Sequence, residues 1–330
     1  MCTCRSVMQM ESRREINDDK RTYFHNIPFY LYVCKHVTFV HHKLSSWQPK
    51  KISSGSVGDY SSTHNNKQMA KNPAQGNPNQ EGISVPAEMM ECERKPRIIV
   101  QGGMYTDLQC GGAQLQNEFM DALKGAARNG YDVLRDNGTA VDAVEKAILS
   151  LEENGRFNAG RGSYKTDKGD VECDAMIMDG HKVDAGAVTA ARYILHPVSL
   201  ARKVMDESDH CTLCADGALE FAVNQNVPIE FVEGRDYFPW DGPNRFNDNP
   251  GDTVTAIAMD CKGNLACAAS SGGIPGKSKG RVGDVPQIGC GGYANECGAA
   301  AACGHGESII RMTVAREVVS NMQKLNQSAQ

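Results

Sequence analysis

The chain has 330 residues, and its 35 basic and 40 acidic side chains leave a net charge of −5. That balance excludes the strong field that would draw it to nucleic acid or an anionic membrane surface, so neither is expected as a partner. An apolar share of 40% suits a globular protein, and 33 glycines point to many tight turns.

Met1–Lys20 is charged and has no apolar core, and the apolar patch Ile27–Val40 is interrupted by Lys35 and His36. Neither reads as a signal peptide or a membrane span. With an odd count of 13 cysteines, this predicts a reducing cytoplasm and mostly free thiols. Ser53–Gln80 is rich in Ser, Asn, Gln, Gly and Lys with no apolar period. Residues 1–95 are therefore expected to be a disordered extension, with the folded domain over 96–330.

From Pro96 the character changes. Arg97–Val100 is a short apolar strand. Helical spacing follows over Leu115–Asn137, with Phe119, Leu123, Ala126, Ala127 and Leu134 on one face and Gly138 as a left-handed stop. Thr139 is a candidate N-cap, with Asp142 three residues on. The helix it starts carries Val141, Val144, Ala147, Ile148 and Leu151 on one stripe. Cys173–Met178 and Val183–Thr189 are strand-like and joined by Asp179-Gly180, a hairpin signal. Short helices are expected over Ser199–Asp206 and from Ala215 through Phe221, and Val232–Pro250 reads as a loop. Thr253–Met259 and Leu265–Ala269 form a second hairpin about Lys262-Gly263-Asn264, and Ser308–Met322 a last helix. Paired helices with hairpins between them predict an α+β fold with helical layers on antiparallel sheet. Cys211-x-x-Cys214 lacks a second pair at zinc-ribbon spacing, so both are expected as small buried strand residues and no metal is called.

Four features in the last third carry chemistry. Thr253 opens a strand straight after an irregular loop. A threonine hydroxyl needs a base, and a threonine made N-terminal by a cut after Asp252 has its own α-amine, of pKa about 7.7–8, for that purpose. The hairpin returns Ser271 beside Thr253, to orient that group or to cap its own strand. Arg281 and Asp284, three apart in a glycine turn, either face one small zwitterion or pair with each other. Cys303-Gly304-His305-Gly306-Glu307 either points N–H groups at an oxyanion or is a plain turn into the last helix. His305 itself reads as a local hydrogen-bonding group.

Thr253-Val254, Gly263-Asn264, Ser271-Gly272-Gly273, Gly280-Arg281-Val282-Gly283-Asp284, Gly291-Gly292-Tyr293-Ala294 and Gly304-His305-Gly306-Glu307 follow one another in an order that resembles the isoaspartyl peptidase/L-asparaginase family. Gly138–Glu145, Phe157-Asn158-Ala159-Gly160 and Asp174–Gly180 extend the resemblance to the first half. It implies a four-layer αββα sandwich of the N-terminal-nucleophile hydrolase type, with 96–252 as an α-subunit-like part and 253–330 as a β-subunit-like part. It implies self-cleavage at Asp252–Thr253. Thr253 then attacks the side-chain amide of asparagine or the isopeptide bond of a β-aspartyl dipeptide. Arg281 holds the substrate carboxylate and Asp284 its ammonium, with Gly306 in the binding loop. Cys303 and Gly304 form the oxyanion hole, and Ser271 and Asn158 support the nucleophile. The family also implies a homodimer of cleaved protomers.

The chain departs from the family in places. Cys303, Ser271 and Thr255 stand where the family has Thr, Thr and Gly, and Gln101–Tyr105 replaces its sodium-holding loop, so no cofactor is called. The family continues for further strands beyond the helix ending near Lys324. The alternative readings are an inactive or unstable truncated pseudoenzyme that at most binds, and a glycosylasparaginase-like amidase, which Asp252 and the run Ala299–Ala302 resemble.

Overall fold

The computed structural model describes residues 7–11, 14–15, 29–34, 94–102, 112–235 and 252–325. In chain order the elements are strands β1 (Val7–Glu11), β2 (Arg14–Glu15), β3 (Phe29–Cys34) and β4 (Arg97–Gln101), then helices α1 (Gly112–Arg135) and α2 (Ala140–Glu152). There follow β5 (Cys173–Asp179), β6 (Asp184–Ala191), α3 (Pro197–Glu207), β7 (Thr212–Cys214) and α4 (Ala215–Asn224). Last come β8 (Val254–Met259), β9 (Leu265–Ser271), β10 (Gly292–Asn295), β11 (Gly298–Gly304), α5 (Gly306–Met312) and α6 (Val314–Leu325).

Among the described residues the strands form an eight-stranded sheet, ordered β2-β1-β4-β8-β9-β5-β6-β7, and a three-stranded sheet, β10-β11-β3. All pairings are antiparallel except β6 with β7. The alternation of side chains on the central strands shows why four layers result. Val254, Ala256 and Ala258 of β8, with Ala266 and Ala268 of β9 and Ala175 and Ile177 of β5, join Leu123, Val144, Ile148 and Leu151 of the helices in one core. The intervening residues Ile257, Met259, Cys267, Met176 and Met178 pack instead on Ala294, Ala299 and Ala301 of the second sheet. The other face of that sheet, through Ala300, meets Ala315, Val319 and Met322 of α6. Helix, sheet, sheet and helix are thus cemented by three successive apolar interfaces, and each fully buried Ile, Leu or Met contributes about 1.5–3 kcal/mol.

Several local expectations are corrected. Helix α1 ends with Asn137, not Gly138, in the left-handed conformation, at φ 64°. The Asn137 N–H bonds to Leu134 O and the Gly138 N–H to Val133 O, the paired closing bonds of a Schellman motif. Gly138 is required for closeness, since a Cβ there would stand 2.5 Å from Val133 Cγ1. The first hairpin turns over four residues rather than two: Asp179 pairs with Asp184, and Val183, at φ 56°, carries the left-handed position. The final helix breaks at Thr313, also left-handed, because the Arg316 N–H is drawn to Gly289 O instead of continuing the helical ladder. Three stretches inside the expected extension are strands: β1 pairs with β4, and β3 pairs with β11 from Phe29↔Gly304 to Cys34↔Ala299. Each satisfies ladder groups that an edge strand would leave open. Ser53–Gln80 lies outside the described residues.

Candidate active site

The β8–β9 hairpin builds the site. Val254 pairs with Ser270, so Thr253 and Ser271 meet at one end of the sheet. On its other side β9 pairs with β5, setting Asp174 opposite Ser271. The second sheet brings Cys303 against the same point, and its thiol hydrogen-bonds with the backbone and hydroxyl of Thr253. Burial pushes the Cys303 thiol up to about 12, so near neutral pH it remains S–H, a donor.

Asn158, in the loop after α2, ties these groups together. Its Oδ1 accepts the Tyr164 N–H at 3.0 Å, which fixes which way the amide faces. Its Nδ2 then donates to the Asp252 carbonyl at 3.0 Å and to Gly273 O at 2.6 Å. The Ser271 hydroxyl donates to the same Asp252 carbonyl at 2.9 Å and accepts the Gly273 N–H at 3.0 Å. The peptide bond just before Thr253 therefore has its oxygen held by two donors, both buried.

Beyond Thr253 lies a void of about 10 Å³ lined by Asp174, Arg281, Asp284, Gly304 and Gly306, among others. Arg281 and Asp284 do not pair with each other. Instead Arg281 gives Nε and Nη2 to Glu307 Oε1, at 3.0 and 2.8 Å. Burial works to raise the Glu307 carboxyl, but those bonds outweigh it and hold it below its ordinary range. Among the described residues, the Nη1–Nη2 edge of the guanidinium donates no hydrogen bond beyond the one from Nη2 to Glu307. Asp284 is 5% exposed, and its Oδ2 has no hydrogen-bond partner among the described residues. Burial pushes this carboxyl up to about 7, with Asp174 and Glu307 adding to the rise and Arg281 opposing it. Gly306 separates the two, since a Cβ there would lie 2.8 Å from Arg281 Nη2 and from Asp284 Oδ1.

Thr253, Ser271, Asn158, Cys303, Gly304, Arg281, Asp284 and Gly306 thus lie in or against one void. Two neighbours were missed as participants, Asp174 and Glu307. An acid amid the apolar strand Cys173–Met178 was the available signal for Asp174. His305 Nδ1 lies 2.8 Å from Ser308 Oγ, a local hydrogen bond. Cys211 and Cys214 are exposed, not buried. Cys211 precedes the extended β7 and Cys214 ends it, and a rise of about 3.3 Å per residue sets them roughly 10 Å apart, beyond disulfide reach. Of the sodium-loop positions, Gly103, Met104 and Tyr105 lie outside the described residues. Among the described residues no His, Cys, Asp and Glu cluster suits a metal ion, and no helix is long and apolar enough to cross a membrane.

Residues 94–238 and 239–330 match the family model described as asparaginase. The chain belongs to the asparaginase family. It is 43% identical over 241 residues to the isoaspartyl peptidase/L-asparaginase of Xenopus laevis, covering 70% of this chain and 77% of that protein. The Danio rerio protein of that name is 47% identical over 241 residues, covering 69% of this chain and 76% of its own. For the Homo sapiens protein the identity is 43% over 243 residues, covering 69% and 77%. The αββα layering is the architecture expected of this asparaginase family from the sequence.

Proposed function

We propose that the chain cuts itself between Asp252 and Thr253 and then, with Thr253 as nucleophile, hydrolyses the side-chain amide of L-asparagine or the isopeptide bond of β-aspartyl dipeptides. The observation that carries this is the Asp252 carbonyl, held by Ser271 Oγ and Asn158 Nδ2 beside the Thr253 hydroxyl. When that hydroxyl adds to the carbonyl carbon, the negative charge forms on an oxygen already facing two donors. Breaking the C–N bond leaves an ester between the Asp252 carboxyl and Thr253 Oγ1, and frees the Thr253 amine. Water then hydrolyses the ester, leaving Asp252 as a C-terminus and Thr253 as an N-terminus.

The freed amine next takes the hydroxyl proton, and Oγ1 attacks the substrate amide carbon. Cys303 S–H and the Gly304 N–H receive the oxyanion. Ammonia or the peptide's amine departs with a proton, and water resolves the acyl-enzyme to aspartate. The open Nη1–Nη2 edge of Arg281 takes the substrate α-carboxylate, and Asp284 Oδ2 its ammonium. The cleaved protomers pair as a homodimer. Mass spectrometry of the purified chain tests the first step: a fragment beginning Thr253-Val254-Thr255 supports it, and an intact chain or another first residue overturns it.

A further inference from the structure

Asp174 sits where the β5–β6 ladder slips. Cys173 pairs with Ala191, but Ala175 pairs with Val188, so Thr189 and Ala190 together face Asp174 in a β-bulge. Ala190 takes a φ of 47° there, a left-handed conformation that costs a residue bearing Cβ about 1–2 kcal/mol. Such strain persists only where the surroundings impose it. Here the Ala190 N–H donates to Asp174 Oδ1 at 2.9 Å, while Oδ2 accepts the Gly283 N–H at 3.1 Å. The side chain is 1% exposed, lines the same void as Thr253 and Asp284, and has no part in the steps above.

We infer that Asp174 is a positioning residue for substrate binding: it holds the Gly283–Asp284 turn against the nucleophile-bearing sheet and faces Asp284 with a second negative charge. The inference rests on the reading that Asp284 receives the substrate ammonium. The groups around Asp284 are Arg281 on its own turn, Asp174 on β5, Glu307 on α5, and the thiols of Cys290 and Cys303. Arg281, the cation among them, is already paired with Glu307. A ligand entering there meets an excess of carboxylate, which favours one that brings its own cationic amine. Asp174 also helps keep Asp284 protonated while the site is empty. Arrival of the ammonium then reverses that balance.

Asp174→Asn removes the charge and leaves one carbonyl oxygen for two N–H donors. On self-cleaved protein, KM for L-asparagine and β-aspartyl dipeptides should rise at least tenfold while kcat stays within about threefold. The acid limb of kcat/KM, which carries the Asp284 and Thr253-amine ionisations, should also move to lower pH. Independently, the Asp284 carboxyl should titrate at least half a pH unit lower in the variant, followed by 13C NMR with labelled aspartate and assigned through Asp284→Asn. An unchanged KM or an unchanged Asp284 midpoint overturns the inference. Should Asp174→Asn not fold, Asp174→Ser, which keeps a hydroxyl for the Ala190 and Gly283 N–H groups but carries no charge, is read by the same KM and Asp284 measurements. If the wild type cuts itself yet hydrolyses neither substrate, the proposed function fails, and the titration still judges Asp174.

Discussion

Asp260 and Asp284 occupy opposite ends of the same layered core, and both are almost fully buried, at 3% and 5% exposure. Their hydrogen bonding differs. The Asp260 carboxylate closes the β8–β9 turn by accepting the N–H groups of Lys262 and Asn264, the Asn264 side-chain amide, and the Ala140 N–H that opens α2. Asp284 keeps one oxygen without a partner and is pushed up to about 7. The larger cleft, about 210 Å³, lies at the Asp260 end. Around Thr253 the space is only about 10 Å³. Volume and charge do not distinguish these two carboxylates, but unfinished hydrogen bonding does. A buried carboxylate costs several kcal/mol unless satisfied, so the one left incomplete beside Thr253 is where the proposed substrate would complete the hydrogen bonding.

The sharpest break in the comparison is Thr253→Ala, which removes the oxygen proposed to attack. Both self-cleavage and hydrolysis should disappear, a loss beyond a thousandfold, while the thermal transition moves little. A Thr253→Ala protein that still yields two fragments on a denaturing gel would mean that the cut does not depend on this hydroxyl.

Next comes the pair itself. Asp284→Asn forfeits the proposed charge-assisted bond to the substrate ammonium, worth about 1.5–3 kcal/mol, so kcat/KM should fall roughly ten- to a hundredfold. Wild-type stability should fall as pH rises through this group's range. The unfolded carboxyl loses its proton near its ordinary value, whereas the folded one retains it to about 7. Wild-type stability contributed by this group therefore falls between those pH values, and the variant should lack the fall. Asp260→Asn, by contrast, should lower stability by about 1–3 kcal/mol through unsatisfied N–H groups and leave KM unchanged. If Asp260→Asn raises KM and Asp284→Asn does not, the two ends have been assigned the wrong way round.

Arg281→Lys tests the neighbouring charge. An ammonium cannot serve Glu307 and a substrate carboxylate through two edges of one plane. KM should rise about tenfold, and self-cleavage, which needs no free substrate, should continue. Unchanged KM for β-aspartyl dipeptides would make the residue a partner of Glu307 alone.

How much of this was legible in the sequence follows from the range of the interactions involved. The β8–β9 hairpin was readable because its turn, Lys262-Gly263-Asn264, and its apolar strands are local, and with it came the meeting of Thr253 and Ser271. The Thr139 cap was readable for the same reason: its oxygen does accept the Asp142 N–H, at 3.1 Å. What escaped depends on partners far along the chain. Asp174 looked like one more strand residue until the slip against Ala190 and the approach of Gly283, 109 residues on, gave its carboxylate two donors. The expected fork from Arg281 could not be allotted before Glu307, 26 residues away, was seen to take Nε and Nη2. The break at Thr313 likewise has no local cause, because the carbonyl that draws the Arg316 N–H belongs to the loop before β10.

The smallest expected effect is a gain. Cys303 stands at the position where the resembling family has threonine, with its sulfur hydrogen-bonded to the Thr253 hydroxyl and backbone. As a thiol it remains protonated, so it still donates, but an S–H bond is weaker and longer than an O–H bond. Removing one oxyanion donor outright typically costs about a hundred- to a thousandfold in kcat, so a weakened donor should cost a fraction of that. Cys303→Thr should accordingly raise kcat about tenfold. KM should move little, because the proposed substrate contacts of Arg281 and Asp284 lie at the far end of the substrate. Cys267 supplies the control, being buried between the sheets and also pushed up to about 12, by burial alone. Cys267→Ala should lower the thermal transition through a small cavity and leave kcat unchanged. Equal kcat for Cys303→Thr and the parent, measured on fully cleaved protein, would place the oxyanion on Gly304 alone and make Cys303 another packing cysteine like Cys267.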